Sequence, residues 1–437
     1  MVNMALLKLM PSFKDYLWGG HRLADEYNKK YDGEILAESW ELSCHPDGPS
    51  VIANGKYAGK TLKEFIDLEG KEVLGENCRR FRDFPILVKF IDAKDNLSIQ
   101  VHPDNNYALK NEGQYGKTEM WYVMDAAEDA YLYFGFKKEI SKEEFAERIE
   151  NDTLLEVLKA VPVHKGDVFF IESGTMHAIG KNILIAEIQQ NSNVTYRVYD
   201  YGRVGKYGKK RELHVDKALD VAKRTPSSNP SSNPSGCYPH IADCDYFTVD
   251  KLNLDGGILS KAEGEVSNKS FVCIMFLDGE GSISCDGETV QFQKGDTVFL
   301  AAGSGSYIIE GKCDALVTTI REKAGLADIK INLGRENAQI VIEDSSKKQV
   351  TSKEISVNAE NSAQEVLEQI AGTVSVLLEE NNIPAGECAG IEIQIPGNAD
   401  SKKGILINSD IFKWENICVS DIIGNIIPLP VNLQGIL

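Results

Sequence analysis

The sequence lacks the features that would place it in a membrane or on a nucleic acid. No apolar run approaches the roughly 20 residues that a membrane-spanning helix requires. The first ten residues carry one lysine, Lys8, and polar residues follow at once, so we expect no signal peptide. The 47 lysines and arginines are outnumbered by 66 aspartates and glutamates, and a net charge of −19 argues against a nucleic-acid partner. One basic run, interpreted as either a solvated loop or a phosphate-steering patch, interrupts this background: Lys206, Lys209, Lys210 and Arg211.

The sequence also lacks closely spaced cysteine pairs and has no histidine after His240. Nine cysteines is an odd number, and no two are spaced Cys-x-x-Cys. We therefore expect reduced thiols in a cytoplasmic protein. The seven histidines all lie at or before His240, so the last part of the chain offers no imidazole to a metal or to catalysis.

Length and patterning predict several domains. A chain of 437 residues exceeds what one core usually supports. Short strand-like segments between Gly and Asp turns predict a mainly β fold of sandwich or jelly-roll type. Lys165-Gly166-Asp167-Val168-Phe169-Phe170 recurs as Lys294-Gly295-Asp296-Thr297-Val298-Phe299, which indicates an internal repeat of one β-barrel. A Pro-Ser-Ser-Asn repeat at Thr225–Gly236 predicts a mobile linker.

We therefore predict a jelly-roll domain over residues 1–236, a second β-barrel over 237–325 and an α/β unit over 326–437. The position of His177 falls on Ser306 in the repeat, so the second barrel is predicted to be metal-free. Individual elements are also predicted from periodicity and capping patterns, namely strands at Phe84–Ile91, Ile183–Ile188 and Ile426–Val431 and helices at Thr61–Leu68, Ser141–Leu158 and Ser362–Glu380.

The pair Gln100 and His102 is central to the functional prediction. In an extended strand, side chains two apart point to the same face, so both can reach one cation. Glu119 follows His102 by seventeen residues, and His177 lies in a second cluster, Glu172-Ser173-Gly174-Thr175-Met176-His177-Ala178. A carboxylate and a second imidazole would complete a mixed nitrogen and oxygen donor set that suits zinc.

These residues resemble those of the type I phosphomannose isomerases of the cupin superfamily, and the resemblance runs from about Lys8 to Arg321. It rests on four motifs: Gln100-x-His102, Lys117-Thr118-Glu119, Gly174-x-x-His177-Ala178, and the block from Glu187 to Asp200. The resemblance implies two cupin jelly-roll domains and one Zn²⁺ per chain, held by Gln100, His102, Glu119 and His177. It also implies interconversion of mannose 6-phosphate and fructose 6-phosphate through a cis-enediol.

The resemblance further implies roles for individual residues. Arg197 would stabilise the enediolate, and Glu187 would carry the proton, with a metal-bound water as the alternative carrier. Lys117 is assigned to catalysis and to the phosphate, Ser98 and Lys89 to the phosphate, and Trp18 to the sugar-facing wall. Arg203 and Arg211 are interpreted as possible phosphate contacts, with ordinary surface charge as the favoured account.

Residues 329–433 show a fainter resemblance to the amino-terminal lobe of ROK sugar kinases and repressors, carried by Gly390-Ile391-Glu392-Ile393-Gln394-Ile395-Pro396-Gly397. The resemblance implies a ribonuclease-H-like fold. Asn332-Leu333-Gly334-Arg335-Glu336 stands where such kinases carry their phosphate loop, so no kinase activity is expected. Three roles stay open for this unit: self-association or docking, a vestigial remnant, or a fragment of something longer.

Two other functions are consistent with a metal-binding cupin. In a sugar-phosphate sensor, the barrel would bind its ligand without turnover, but the presence of both Arg197 and Lys117 favours the isomerase. The second alternative is an iron dioxygenase. The Gln ligand and the residues assigned to the phosphate argue against it. The predicted partner is a small sugar phosphate, with no nucleic acid or membrane.

Overall fold

A computed structural model describes residues 6–205, 208–227 and 240–436, which form two compact units. The amino-terminal unit comprises Met1–Glu76 and Pro85–Arg321, and the carboxy-terminal unit comprises Asn77–Phe84 and Glu322–Leu437. Most of the predicted linker, residues 228–236, lies outside the described residues, as does Lys206 of the basic run. Across the described ranges, none of the helices combines the length and the apolar character needed to traverse a bilayer.

Two antiparallel sheets of the amino-terminal unit carry most of the predicted site residues. The first sheet has six strands, in the order Val168–Ile171, Glu119–Ala126, Ile183–Gln190, Ile86–Ala93, Glu38–Leu42 and Ser12–Lys14. The second sheet has five, in the order Tyr196–Tyr199, Ile99–Val101, His177–Ala178, Tyr131–Phe136 and Leu158–Pro162. The predicted strands at Phe84–Ile91 and Ile183–Ile188 are thereby confirmed, with shifted ends.

These two sheets share one hydrophobic core. It combines Ile91, Trp121 and Ile185 of the first sheet with Leu132 and Phe134 of the second, all nearly inaccessible to solvent. All eight residues of Ile183–Gln190 are buried, which explains the continuous apolar run at its start. A polar side chain on such strands is therefore enclosed as well.

A third, nine-stranded antiparallel sheet is built mainly from residues 240–319. Its main path is His240–Asp243, Thr248–Asp255, Gly305–Thr319, Val272–Cys285, Thr297–Leu300, Leu6–Met10 and Val51–Ile52, with Lys261–Val266 and Glu288–Gln293 paired beside it. Leu6–Met10 pairs with Thr297–Leu300, and Leu6 lies in the core of this sheet. Leu6–Met10 and Val51–Ile52 therefore complete a sheet whose other strands come after residue 239.

The predicted internal repeat is confirmed at its two turns. Gly166 and Gly295 have φ angles of 93° and 91°, a region that favours glycine. The backbone N–H of Gly166 donates to Val123 O, and that of Gly295 donates to Phe276 O. Each turn leads directly into a strand, Val168–Ile171 or Thr297–Leu300.

Helices are few and short in the amino-terminal unit. They are Arg22–Glu26, Leu62–Glu69, Asn105–Glu112, Lys142–Glu150 and Val215–Val221, with 3-10 turns at Gly55–Tyr57, Lys71–Leu74 and Leu154–Glu156. A further 3-10 turn, Glu76–Cys78, begins at the last residue before the chain enters the other unit. The helix predicted at Thr61–Leu68 is confirmed, with Thr61 as its cap. The prediction of one helix over Ser141–Leu158 was wrong beyond Glu150, because Asp152 adopts φ of 58° and ends the helical path.

The carboxy-terminal unit contains a mixed sheet and a long helix. The five-stranded sheet has the order Gln349–Ser356, Asn337–Glu343, Ala327–Leu333, Cys388–Pro396 and Val431–Ile436, with the last three strands parallel. Three further strands pair separately, Asn398–Asp400, Ile405–Ser409 and Trp414–Cys418, and the remaining helical elements are Val419–Gly424 and Ala385–Glu387.

Two predictions for this unit had opposite outcomes. The amphipathic helix is confirmed as Ala363–Glu380, with Ser362 as its N-cap and a Glu365 capping box. The strand predicted at Ile426–Val431 was wrong, because Pro428 and Pro430 have no N–H for a sheet ladder. The last strand begins only at Val431.

Candidate active site and metal centre

A cavity of about 250 Å³ opens among the first two sheets. The first sheet contributes Lys89, Glu187 and Trp121, which are cross-strand neighbours, since Glu187 lies opposite both of the others. In the second sheet, Gln100 lies opposite both His177 and Arg197, and Gln100 and Arg197 line the cavity. Residues far apart in sequence are therefore brought together by strand register.

Three of the four predicted metal ligands form one compact group at this cavity. His102, Glu119 and His177 are completely or almost completely buried, and one donor atom of each lies within 4.8 Å of the others. Glu119 Oε2 lies 3.7 Å from His102 Nε2, and Glu119 Oε1 lies 3.4 Å from His177 Nε2. Gln100 joins them, with its side-chain amide nitrogen 3.3 Å from His177 Nε2. Half a turn of that amide would present Oε1 instead.

The hydrogen bonds around these residues fit a metal ion. His102 Nδ1 lies 2.9 Å from Val194 O, and His177 Nδ1 lies 2.8 Å from Thr175 O. A ring that donates from Nδ1 presents a lone pair at Nε2, as metal-binding histidines do. Among the described residues, His102 Nε2 and Glu119 Oε1 are buried without any hydrogen bond. Buried polar atoms normally have partners, so a cation would satisfy this convergent pair.

Burial also controls the charge state of the donor group. It raises the pKa of Glu119 to about 8, against the opposing influence of Lys117, whose Nζ lies 3.1 Å from Glu119 Oε2. It lowers the pKa of His177 to about 4 and that of His102 well below its usual value. Both imidazoles are therefore neutral at pH 7, the form that binds metals.

Lys89 lies between two buried carboxylates. Its Nζ is 3.0 Å from Glu187 Oε2 and 3.7 Å from Glu38 Oε2. The indole N–H of Trp121 donates to Glu187 at 2.8 Å, which fixes the direction of that carboxylate. Burial would raise the pKa of Glu187, but Lys89 and Lys117 outweigh it and lower the pKa to about 2. Glu187 is therefore ionised at neutral pH.

The opposite side of the cavity is cationic. Arg197 Nε donates to Ser98 Oγ at 3.1 Å, and its Nη1 donates to Glu212 O at 3.0 Å. Burial lowers the pKa of Arg197, but a guanidinium starts so high that it stays charged. Arg211 also lines the cavity and forms a two-point ion pair with Asp200. Of the two interpretations of Arg211, a phosphate contact or ordinary surface charge, its place in the cavity lining favours the first.

The structure brings together every residue that the sequence analysis assigned to the site. Trp18, Lys89, Ser98, Lys117, Glu187 and Arg197 line the cavity beside the four predicted ligands. Three further lining residues, Glu38, Asn193 and Thr195, had no predicted role, and Arg211 was predicted only as a possible phosphate contact. For Glu38 a signal existed, since an acidic residue in the buried strand Glu38–Leu42 requires a partner. The five other histidines lie outside the cavity lining.

Two antiparallel sheets with a buried His-Glu-His group define the class: a mainly β protein with a candidate metal site between its strands. Comparison with models of protein families gives a more specific assignment. The model for the type I phosphomannose isomerase catalytic domain matches residues 6–141, and that for the mannose-6-phosphate isomerase cupin domain matches residues 239–320. The chain belongs to the type I phosphomannose isomerase family.

Individual relatives support this assignment. The mannose-6-phosphate isomerase of Streptococcus mutans is 37% identical over 310 residues, which cover 70% of this chain and 95% of that protein. Mannose-6-phosphate isomerase ManA of Bacillus subtilis is 37% identical over 323 residues, covering 70% of this chain and 96% of that protein. A crystal structure of the mannose 6-phosphate isomerase from Bacillus subtilis matches with a TM-score of 0.64 and 35% identity, covering 72% of this chain and 99% of that one.

Proposed function

We propose that this chain interconverts mannose 6-phosphate and fructose 6-phosphate through a cis-enediol and requires one zinc ion. The observation that carries the proposal is the convergence of His102 Nε2, His177 Nε2 and the Glu119 carboxylate beside an ionised Glu187. Gln100, His102, Glu119 and His177 would hold the ion. When bound, zinc supplies a Lewis acid for the sugar carbonyl.

Glu187 is proposed to move the proton. Its carboxylate accepts the proton from C2 of mannose 6-phosphate and returns it to C1, which produces the ketose. Its hydrogen bond from Trp121 and its ion pair with Lys89 hold it in one orientation, so little reorganisation precedes the transfer. Both partners are themselves buried, which keeps water from competing for the carboxylate.

Positive charge is proposed to stabilise the enediolate. Arg197 and Lys117 are fixed cations of the cavity lining, and Arg197 has no carboxylate within ion-pair distance among the described residues. A preorganised cation in a site of low dielectric constant is worth more than the same charge in water. Trp18 would form part of the sugar-facing wall, and Ser98, Lys117 and Lys89 would contact the phosphate.

The proposal extends to architecture and location. We assign jelly-roll barrels to residues 1–236 and 237–325 and a ribonuclease-H-like unit without kinase residues to 326–437. The shared core of the first two sheets supports the first barrel, and the parallel strands of the mixed sheet support the last assignment. Cytoplasmic location and self-association through the last unit belong to the same proposal.

The test is turnover by the purified full chain. We expect mannose 6-phosphate and fructose 6-phosphate to reach the same equilibrium mixture from either side, with no conversion of unphosphorylated mannose at equal concentration. Binding of mannose 6-phosphate without any conversion would contradict the isomerase and support a sugar-phosphate sensor. Neither binding nor conversion would contradict both.

A further inference from the structure

We propose that Arg211 is the phosphate anchor of this site, where its guanidinium, oriented by Asp200, binds the phosphate of the sugar together with Ser98. This inference rests on the proposed function for the identity of the sugar, but the anion site itself can be tested without turnover. The resemblance implies that Ser98, Lys117 and Lys89 bind the phosphate. We keep Ser98 in that role and replace the two lysines by Arg211.

The two lysines that line the cavity already form ion pairs with carboxylates. Lys89 is 3% exposed and lies 3.0 Å from Glu187, and Lys117 is 6% exposed and lies 3.1 Å from Glu119. Each therefore lies against a side chain that the proposed function uses, the proton carrier or a metal ligand. A dianionic phosphate bound there would lie beside that acidic side chain, whereas on the other side of the cavity Arg211 and Arg197 together outnumber the single Asp200 carboxylate.

Arg211 has the donors that an anion requires. Its Nε donates to Asp200 Oδ2 at 2.8 Å and its Nη2 donates to Asp200 Oδ1 at 2.5 Å. Within the described ranges, no hydrogen bond uses its Nη1 or the Nη2 of Arg197. Asp200 thus fixes the guanidinium plane and leaves one end available, the arrangement in which arginine recognises phosphate well.

Local charge and position agree with a phosphate at this place. Asp200 pairs with Arg211, and Arg197 adds a second guanidinium to the lining, so these three residues have a net positive charge in a chain of net charge −19. Ser98 directly precedes the strand Ile99–Val101, which carries the ligand Gln100, and both residues line the cavity.

Steady-state kinetics of the zinc-loaded full chain test the anchor. For R211Q we expect KM for mannose 6-phosphate to rise about 10- to 100-fold, because a charge-assisted contact is lost in ground and transition states alike. Because the bound substrate and the transition state lose the same contact, kcat should stay close to that of the original chain. R211K keeps the positive charge but lacks the planar set of donors of a guanidinium, so its KM should rise less than that of R211Q.

Arg203 provides the matched control. It contacts the same Asp200 and loses the same charge in R203Q, but it does not line the cavity. R203Q should leave KM near its original value, and inhibition by inorganic phosphate should weaken in R211Q alone. Equal kinetic constants for R211Q and R203Q would overturn the inference. If R211Q fails to fold, as circular dichroism would reveal, an unchanged KM in R211K would overturn it instead.

Calorimetry separates this inference from the proposed function. Inorganic phosphate is titrated into the full chain and into both variants, without any substrate. Binding that is lost in R211Q and kept in R203Q supports the anchor even if the chain never isomerises a sugar. Turnover by the original chain together with unchanged phosphate binding in R211Q would retain the isomerase and reject the anchor.

Discussion

Replacement of His177 by alanine is expected to lower kcat about a thousandfold or more and to release the metal. The imidazole is inaccessible to solvent, and its Nε2 lies 3.4 Å from Glu119 Oε1. Without it, only three protein donors remain and water must fill the fourth position, so zinc is held much more weakly. A Lewis acid contributes several kcal/mol to transition-state stabilisation, and each 1.36 kcal/mol is a factor of ten in rate. Isomerase assays and metal analysis of the same preparation measure both effects.

Two further variants distinguish loss of the ligand from loss of the fold. H177Q retains most of the volume and offers an amide oxygen, so it should fold normally and bind zinc weakly. H164A changes a histidine whose side chain is 76% exposed and lies outside the cavity lining, and it should behave as the original chain does. Full activity in H177Q preparations that contain no metal would refute the assigned role of His177.

The second large effect is expected for Glu187→Gln. The amide is isosteric with the carboxylate but cannot accept the proton, so kcat should fall about 100- to 10,000-fold with KM changed much less. Loss of the carboxylate also removes the ion pair with Lys89 at 3.0 Å. In deuterated water, the original chain should incorporate solvent deuterium into the sugar during turnover, and E187Q should show almost none.

Glu172→Gln is the control for this variant. Glu172 is 64% exposed at its side chain and pairs with Lys223, so its neutralisation should leave kcat unchanged. A fall of less than tenfold in E187Q, with deuterium incorporation retained, would assign the proton to another carrier. The deuterium measurement separates the two explanations. A purely structural defect would lower the rate but leave unchanged the amount of deuterium incorporated per molecule of sugar converted.

Sequence reasoning located the site because strand periodicity is local information. Gln100 and His102 alternate on one strand, so their shared direction follows from the chain itself. The pairing of Gln100 with His177 and Arg197 is set by strand register over long separations, and only the resemblance could bring those residues together beforehand. The repeat at Gly166 and Gly295 was also visible, because both turns need the same backbone conformation.

What escaped prediction depends on tertiary contacts. Arg211 belongs to a basic run that has the composition of a solvated loop, so the sequence could not decide between surface charge and a phosphate contact, whereas the structure places it in the cavity lining and paired with Asp200. Leu6–Met10 has an ordinary apolar pattern, which carries no signal that its partner strand is Thr297–Leu300. Near the end of the chain, the error at Ile426–Val431 was avoidable, since the two prolines were visible in the sequence.

A zinc titration of metal-depleted protein tests the central claim most directly. The chain is stripped with a chelator, and conversion of mannose 6-phosphate to fructose 6-phosphate is measured as zinc is added back. Activity should be absent at first, should rise linearly and should level off at one zinc per chain, because one group of donors converges at the cavity. Full activity in the stripped protein, or saturating zinc without any conversion, would contradict the account.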